Sequence, residues 1–241
     1  MFSTATSTAR TDQPDPNTNP VIAPPHVLAL LDRLHELSIV QEEAATTEAV
    51  DAEGFDNFMR DKFIALDQDK CWYMYQHCLA SGARNVIEAG TSFGVSTVYL
   101  ALAVAHNAAL TGKPGQVIAT ENEPSKVRQA RENWKEAGDE VLQVIDLREG
   151  DLRQTLKVDM PKEGIDFLLL DIWAPMAFPT LKVVESHLRP GATILIDNLN
   201  GAASRYKELI EYLHDPQNGY TNMVLPFSRG LGMSVYTGRK V

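Results

Sequence analysis

Two sets of residues in this chain have the types and spacing to do chemistry. The first is the run Val86-Ile87-Glu88-Ala89-Gly90-Thr91-Ser92-Phe93-Gly94-Val95-Ser96-Thr97. A short apolar stretch ends in an acid, passes two glycines and turns amphipathic, which reads as buried strand, tight loop and helix. Glycines let a ligand lie against bare backbone. A helix beginning there aims its first N–H groups and the positive end of its dipole at that ligand. The second set is Asp171, closing Leu168-Leu169-Leu170, together with Asp197 and Asn198, closing Ile194-Leu195-Ile196. Both put oxygen ligands at the carboxyl ends of strands, where open α/β sheets bind small molecules.

The glycine spacing is Glu88-x-Gly90-x-x-x-Gly94, without the paired G-x-G that a pyrophosphate requires. A nucleoside cofactor lacking phosphate suits it better, and S-adenosylmethionine is one, with Glu88 facing its cationic side. A second acid is then expected at the end of the next strand. Glu121 follows Gln116-Val117-Ile118-Ala119-Thr120 directly. Its carboxylate either accepts from the two vicinal ribose hydroxyls or is a solvated strand-end acid. If the strands ending at Asp171 and Asp197 are neighbours, about 4.8 Å apart, then Asp171, Asp197 and Asn198 converge as hard oxygen ligands fit for Mg²⁺. The alternative is that Asp171 caps a turn and Asp197-Asn198 forms one.

These residues need a scaffold, and the pattern of the chain supplies one. Strands are expected at 85–88, 116–120, 143–147, 166–170 and 193–196, alternating with helices at 95–108, 125–137, 151–158, 176–188 and 204–214. That alternation marks a parallel sheet. Runs at 220–225 and 233–236, around Pro226 and Arg229-Gly230-Leu231-Gly232, read as a closing antiparallel hairpin. Upstream, Pro24 and Pro25 open a helix over 26–45. A short helix is expected over 51–61, and Asp67 caps a helix over 68–80. The organisation is therefore a disordered tail at 1–20, an N-terminal helical cap at 21–82 and the α/β domain at 83–241.

At 241 residues and 44% hydrophobic, the chain can bury a large core. No apolar run reaches the roughly 20 residues of a membrane span. The net charge of -10 argues against a nucleic-acid partner and leaves a small-molecule acceptor. Cys71 and Cys78 are the only cysteines. Seven apart on a helix, they stand about 10 Å from each other by helix rise, too far for a disulfide, and read as two half-buried thiols. With a tail that lacks the apolar region of a secretory signal, they point to a cytoplasmic setting.

Four motifs in order, Glu88-Ala89-Gly90-x-x-x-Gly94-x-Ser96, Thr120-Glu121-Asn122-Glu123-Pro124, Leu170-Asp171-Ile172-Trp173 and Ile196-Asp197-Asn198, resemble the class I S-adenosylmethionine-dependent O-methyltransferases of the catechol O-methyltransferase type. The resemblance spans residues 64–238. It implies a doubly wound, Rossmann-like sheet of seven strands, mostly parallel with the last antiparallel, and helices on both faces. It implies cofactor contacts at Glu88, Gly90, Ser92, Ser96 and Glu121, with Gly94 and Asp171 completing that set and Leu66 in the segment that covers the site. Asp151 either contacts the adenine or caps the helix that follows it. Mg²⁺ is implied on Asp171, Asp197 and Asn198.

Two departures accompany the match. The lysine that serves the catechol enzymes as base is replaced by Ala174, and their hairpin glutamate by Gly232. No base is assigned: His77, His106, His187 and His214 fall in expected helices. Trp173 either walls the acceptor pocket or joins the core. The N-terminal helices either cap the pocket or build a homodimer. The expected activity is methyl transfer to a small phenolic or polyhydroxylated acceptor. The alternatives are metal-free transfer to nitrogen, carbon or carboxylate on the same fold, and a non-catalytic binding protein.

Overall fold

A computed structural model describes residues 18–43 and 62–238 of the protein. Most of the expected tail, and the short helix expected over 51–61, lie outside the described residues. Seven strands form one sheet in the order β3-β2-β1-β4-β5-β7-β6. They are β1 (Asn85–Ala89), β2 (Gln116–Glu121), β3 (Ile145–Glu149), β4 (Ile165–Leu170), β5 (Leu188–Ile196), β6 (Tyr220–Leu225) and β7 (Leu231–Tyr236). β1 to β5 pair in parallel, and β7 runs antiparallel to both β5 and β6.

Strand alternation sends successive side chains to opposite faces, and here it divides the core in two. Val86, Phe167, Leu169 and Leu195 join one apolar cluster, with α1 (Pro25–Glu43), α2 (Gln68–Ser81), α3 (Val95–Thr111) and α4 (Pro124–Ala137). Ile87, Leu168, Leu170, Ile194 and Ile196 join the other, with α7 (Ala174–Val184) and α8 (Lys207–His214). Two short helices, α5 (Asp139–Leu142) and α6 (Leu152–Thr155), flank β3. The N-terminal residues Val27, Leu30, Leu31 and Leu34 belong to the first cluster, so α1 shares its core with the sheet. α3 is apolar nearly all round, because neighbours cover it on several sides.

Element ends differ from expectation where the local signal is weak. β3 starts two residues later than its apolar run, since α5 absorbs the chain through Leu142; every residue of this edge strand retains some exposure. β5 begins at Leu188, not Thr193. The strand continues through Pro190 and Gly191 by way of a register shift opposite Ile165–Phe167. α6 stops after one turn, and α7 ends at Val184 where a 3₁₀ turn takes over. Both cysteines are free and fully buried, and burial raises their thiol pKa values.

One glycine of the motif is required by packing. Gly94 caps α3 in the left-handed region at φ 78°, and a Cβ there would lie 2.3 Å from Trp134 Nε1. The buried indole donates to the Gly94 carbonyl at 2.9 Å. Gly82 has a similar φ of 65° with nothing within 4 Å of a built Cβ. Gly82→Ala is therefore expected to lose only the backbone cost of about 1–2 kcal/mol. Gly94→Ala, with the overlap added, should lose at least ~1 kcal/mol more. Urea unfolding of both variants checks this, and equal losses would refute the packing role.

Candidate active site

The carboxyl ends of the parallel strands open into a cleft of about 1090 Å³, large enough for a nucleoside-sized molecule and a small second one. Its floor is Gly90, Thr120, Glu121, Gly150, Asp151, Asp171, Asp197 and Asn198; Trp173, Ala174, Met176, Tyr206 and Arg229 stand on the side of β4 and β5. The strand ends lie in step. Asp171 N donates to Ala89 O and Asp197 N to Leu170 O, each at 3.1 Å. At φ 93°, Gly90 packs so closely on β4 that a Cβ would stand 2.1 Å from the Asp171 carbonyl oxygen. Any side chain at position 90 would wedge these two ends apart.

Glu88 does not face the cleft. It is completely buried beneath the loop and satisfied there by three hydroxyls. Ser96 Oγ donates to Oε1 at 2.6 Å, while Thr91 Oγ1 and Thr97 Oγ1 donate to Oε2 at 2.7 and 2.5 Å. A carboxylate out of water must be hydrogen-bonded, so the first turn of α3 turns inward to serve it. Neither Gly94 nor Ser96 lines the cleft, contrary to the expected contact role. Burial raises the Glu88 pKa despite the three hydroxyls, which oppose the rise; the Glu121 charge adds to it.

Glu121 does line the cleft. Its Oε1 accepts from the Asn122 and Glu123 amides at 2.8 and 2.9 Å, and its Oε2 from the Ser92 amide at 2.7 Å. A carboxylate has about four acceptor positions, so Oε2 keeps one for a ligand. The Ser92 bond helps hold that residue in the left-handed region at φ 51°. Asp151 is the N-cap of α6, accepting from the Arg153 amide at 2.9 Å, and also lines the cleft. Its carboxyl pKa is lowered, first by the Arg153 side chain. Leu66 departs from expectation. It is buried in the core, and in this extended segment its neighbours Ile64, Ala65 and Asp67 face the cleft instead.

Sequence reasoning missed Lys70. From α2 its ammonium reaches Asp197 Oδ1 at 2.6 Å and Asp67 Oδ2 at 3.1 Å, with the side chain 1% exposed. Asp67 holds the N-cap position of α2 without capping it; its carboxylate goes to the lysine. The available signal was a lysine on the same helical face as Cys71, Met74 and Cys78, all buried. Asp197 Oδ2 accepts from Asn198 Nδ2 at 2.5 Å, and the Asp197 carbonyl accepts from Tyr206 OH at 3.1 Å. Asp171 sits beside them. Burial, Asp197 and Glu88 push its carboxyl well above the usual range, and Lys70 and Lys126 oppose this.

That arrangement does not fit the expected Mg²⁺ set of Asp171, Asp197 and Asn198. Both Asp197 oxygens have donors, and Asn198 offers its NH₂ to the acid. A divalent ion on Asp197 would also meet the ammonium, at on the order of 4 kcal/mol per unit charge at 4 Å in an effective dielectric of about 20. Among the described residues, no group of three or more His, Cys, Asp or Glu is placed to hold a metal. The catechol-specific half is likewise rebuilt. A Cβ on Gly232 would stand 2.6 Å from Leu199 Cδ2, leaving a glutamate no room without movement there. Of the histidines, His77 bonds Thr193 Oγ1 at 2.9 Å on the buried side of α2, and burial lowers its pKa.

The comparisons with known proteins bear on the fold. The sequence profile of a family described as methyltransferase domain matches residues 87–199, the stretch from β1 through the loop after β5. Among curated proteins, none matches the chain. Many solved structures share the fold. Cofactor-bound Rv0187 from MTB superposes with a TM-score of 0.67 at 18% identity, over 94% of this chain and 99% of that one. The O-methyltransferase TomG of tomaymycin synthesis from Streptomyces achromogenes, in complex with SAM, gives 0.63 at 19%, over 86% and 99%. An O-methyltransferase from Bacillus cereus in complex with SAH gives 0.55 at 20%, over 84% and 99%. Residues 87–199 thus match a methyltransferase domain, and they lie in a seven-stranded, mostly parallel sheet of the fold shared with these solved structures. Among the described residues, no helix is long and apolar enough to cross a membrane.

The buried carboxylate makes a pH prediction. The folded pKa of Glu88 is raised above an unfolded value of about 4.3. The folded state therefore holds this proton more tightly, and Glu88 subtracts from stability as pH rises from below about 4.3 through its folded pKa. Glu88→Gln carries no such proton. Urea unfolding should show the stability difference moving in favour of the variant between acid and neutral pH. A pH-independent difference would sink the assignment.

Proposed function

We propose that this protein transfers the methyl group of S-adenosylmethionine to a hydroxyl of a small phenolic or polyhydroxylated acceptor. The observation that carries this reading is the glycine-hinged loop over Gly90, with the cleft-facing Glu121 carboxylate bonded to the Ser92 amide. When bound, S-adenosylmethionine supplies an electrophilic methyl on a cationic sulfur.

The chain's own residues divide the work. Glu121, with one acceptor position open, takes the ribose hydroxyls. Gly90 and Ser92 bring backbone against the ligand, and Asp151 stands at the adenine end. Asp171 gives the cleft floor its acidic character beneath the cation. Trp173, half exposed at the N-cap of α7, walls the acceptor side with Met176, Tyr206 and Arg229. Their task is to hold an acceptor oxygen in line with the methyl, and orientation of that kind can supply most of the rate. Glu88, Ser96 and Gly94 support this from below by fixing the loop. The named neighbours TomG and the Bacillus cereus protein, both O-methyltransferases, support oxygen as the acceptor atom.

Titration calorimetry with S-adenosylmethionine and S-adenosylhomocysteine tests the cofactor half. Both are expected to bind, and Glu121→Ala should weaken each by roughly tenfold or more, equivalent to about 1.4 kcal/mol. Glu140→Ala, on the exposed face of α5, should leave both unchanged. No binding by the parent protein would end the reading. The acceptor half is tested by isotope transfer from labelled S-adenosylmethionine to a panel of phenols and polyols; label found only on amines or carboxylates would refute it.

A further inference from the structure

We infer that Lys70 is the resident cation of the acceptor half, its ammonium taking the part of a divalent metal on Asp197, so that the site works without a bound metal ion. Three observations from separate parts of the chain converge on this. The ammonium is bracketed by two carboxylates, 2.6 Å from Asp197 and 3.1 Å from Asp67. It arrives from α2, outside the segment matched by the methyltransferase family, so the charge is brought in by the N-terminal part of the chain. The other oxygen of Asp197 is closed by the Asn198 amide nitrogen, which turns the expected ligand set into a self-contained ion pair.

Lys70 does not line the cleft, so it acts as a positioning residue. Through Asp197 and Asn198 it sets the turn after β5 that forms the acceptor floor. Asn198 sits at φ 55° and its carbonyl accepts from Ala202 N at 2.9 Å. Tyr206 fastens the same turn from the other side. A fixed ammonium has the charge of a cation without exchangeable ligands. The acceptor oxygen is then held by the shape of the floor and the Trp173 wall, not by coordination. The inference rests on the methyl-transfer reading for what the floor is for, and on the ion pair alone for the cation's identity.

The test is a Mn²⁺ titration of the full chain saturated with S-adenosylhomocysteine, following the spin-resonance signal of free Mn²⁺. The parent protein is expected to take up no stoichiometric Mn²⁺ at millimolar concentration. Lys70→Gln is expected to gain one site, at least about tenfold tighter than anything the parent shows, and to lose it again in the Lys70→Gln/Asp197→Asn double variant. Lys70→Arg, which keeps the positive charge, should stay metal-free. One Mn²⁺ per parent chain, abolished by Asp197→Asn, would overturn the inference. So would a folded Lys70→Gln variant that binds Mn²⁺ no better than the parent. If Lys70→Gln does not fold, the parent and Lys70→Arg titrations decide: uptake by either refutes, and exclusion by both supports. Failure of the parent to bind S-adenosylhomocysteine would count against the methyl-transfer reading alone, since the Mn²⁺ titration can be repeated without it.

Discussion

A carboxylate removed from water is costly unless every oxygen finds a donor, and Glu88 is such a carboxylate at the end of the central strand β1. Its donors are one hydroxyl from the loop and two from the first turn of α3. Meeting that demand fixes where the loop must run and how α3 must dock. The loop, so placed, brings the Ser92 amide to Glu121 and ties the end of β1 to the end of β2. Thr120 strengthens the tie, donating its hydroxyl to the Glu88 carbonyl at 2.9 Å. The cofactor side of the cleft follows from this one satisfied acid.

The acceptor side solves the same problem by other means. Asp197, also buried, is matched by an ammonium, an amide nitrogen and a neighbouring tyrosine on its backbone. Hydroxyls leave Glu88 with its burial penalty and a raised pKa, whereas Lys70 gives Asp197 an opposite charge. Asp171 lies between the two acids and feels both. Three acids thus stand at adjacent strand ends, with Glu88 under the loop served by hydroxyls and Asp197 by an ammonium.

The sheet was legible because its inner strands announce themselves. Val86-Ile87, Val117-Ile118 and Phe167-Leu168-Leu169-Leu170 are apolar on both faces, as strands covered by helices on either side must be. The bounds of β3 and the start of β5 were not legible, since an edge strand keeps polar residues and a bulge tolerates Pro190 and Gly191. For the site, an acid at a strand end could be seen in the sequence, but its direction could not. Glu88 turned under the loop and Glu121 turned into the cleft look alike on paper. Lys70 was hidden by a sound general rule, that a lysine on a helix is solvated. Only its apolar companions on the same face contradicted that rule.

The pair that closes the acceptor floor joins residues 127 positions apart in the chain. A ribosome working at roughly 5–20 residues per second releases the lysine on the order of ten seconds before the aspartate exists. For that interval the ammonium has only Asp67, three positions before it, as a carboxylate partner. The cofactor loop, whose hydroxyl donors lie within nine positions of Glu88, can set early. The loop under the cofactor half therefore needs only its own neighbourhood, while the acceptor floor waits for the fifth strand to be threaded home.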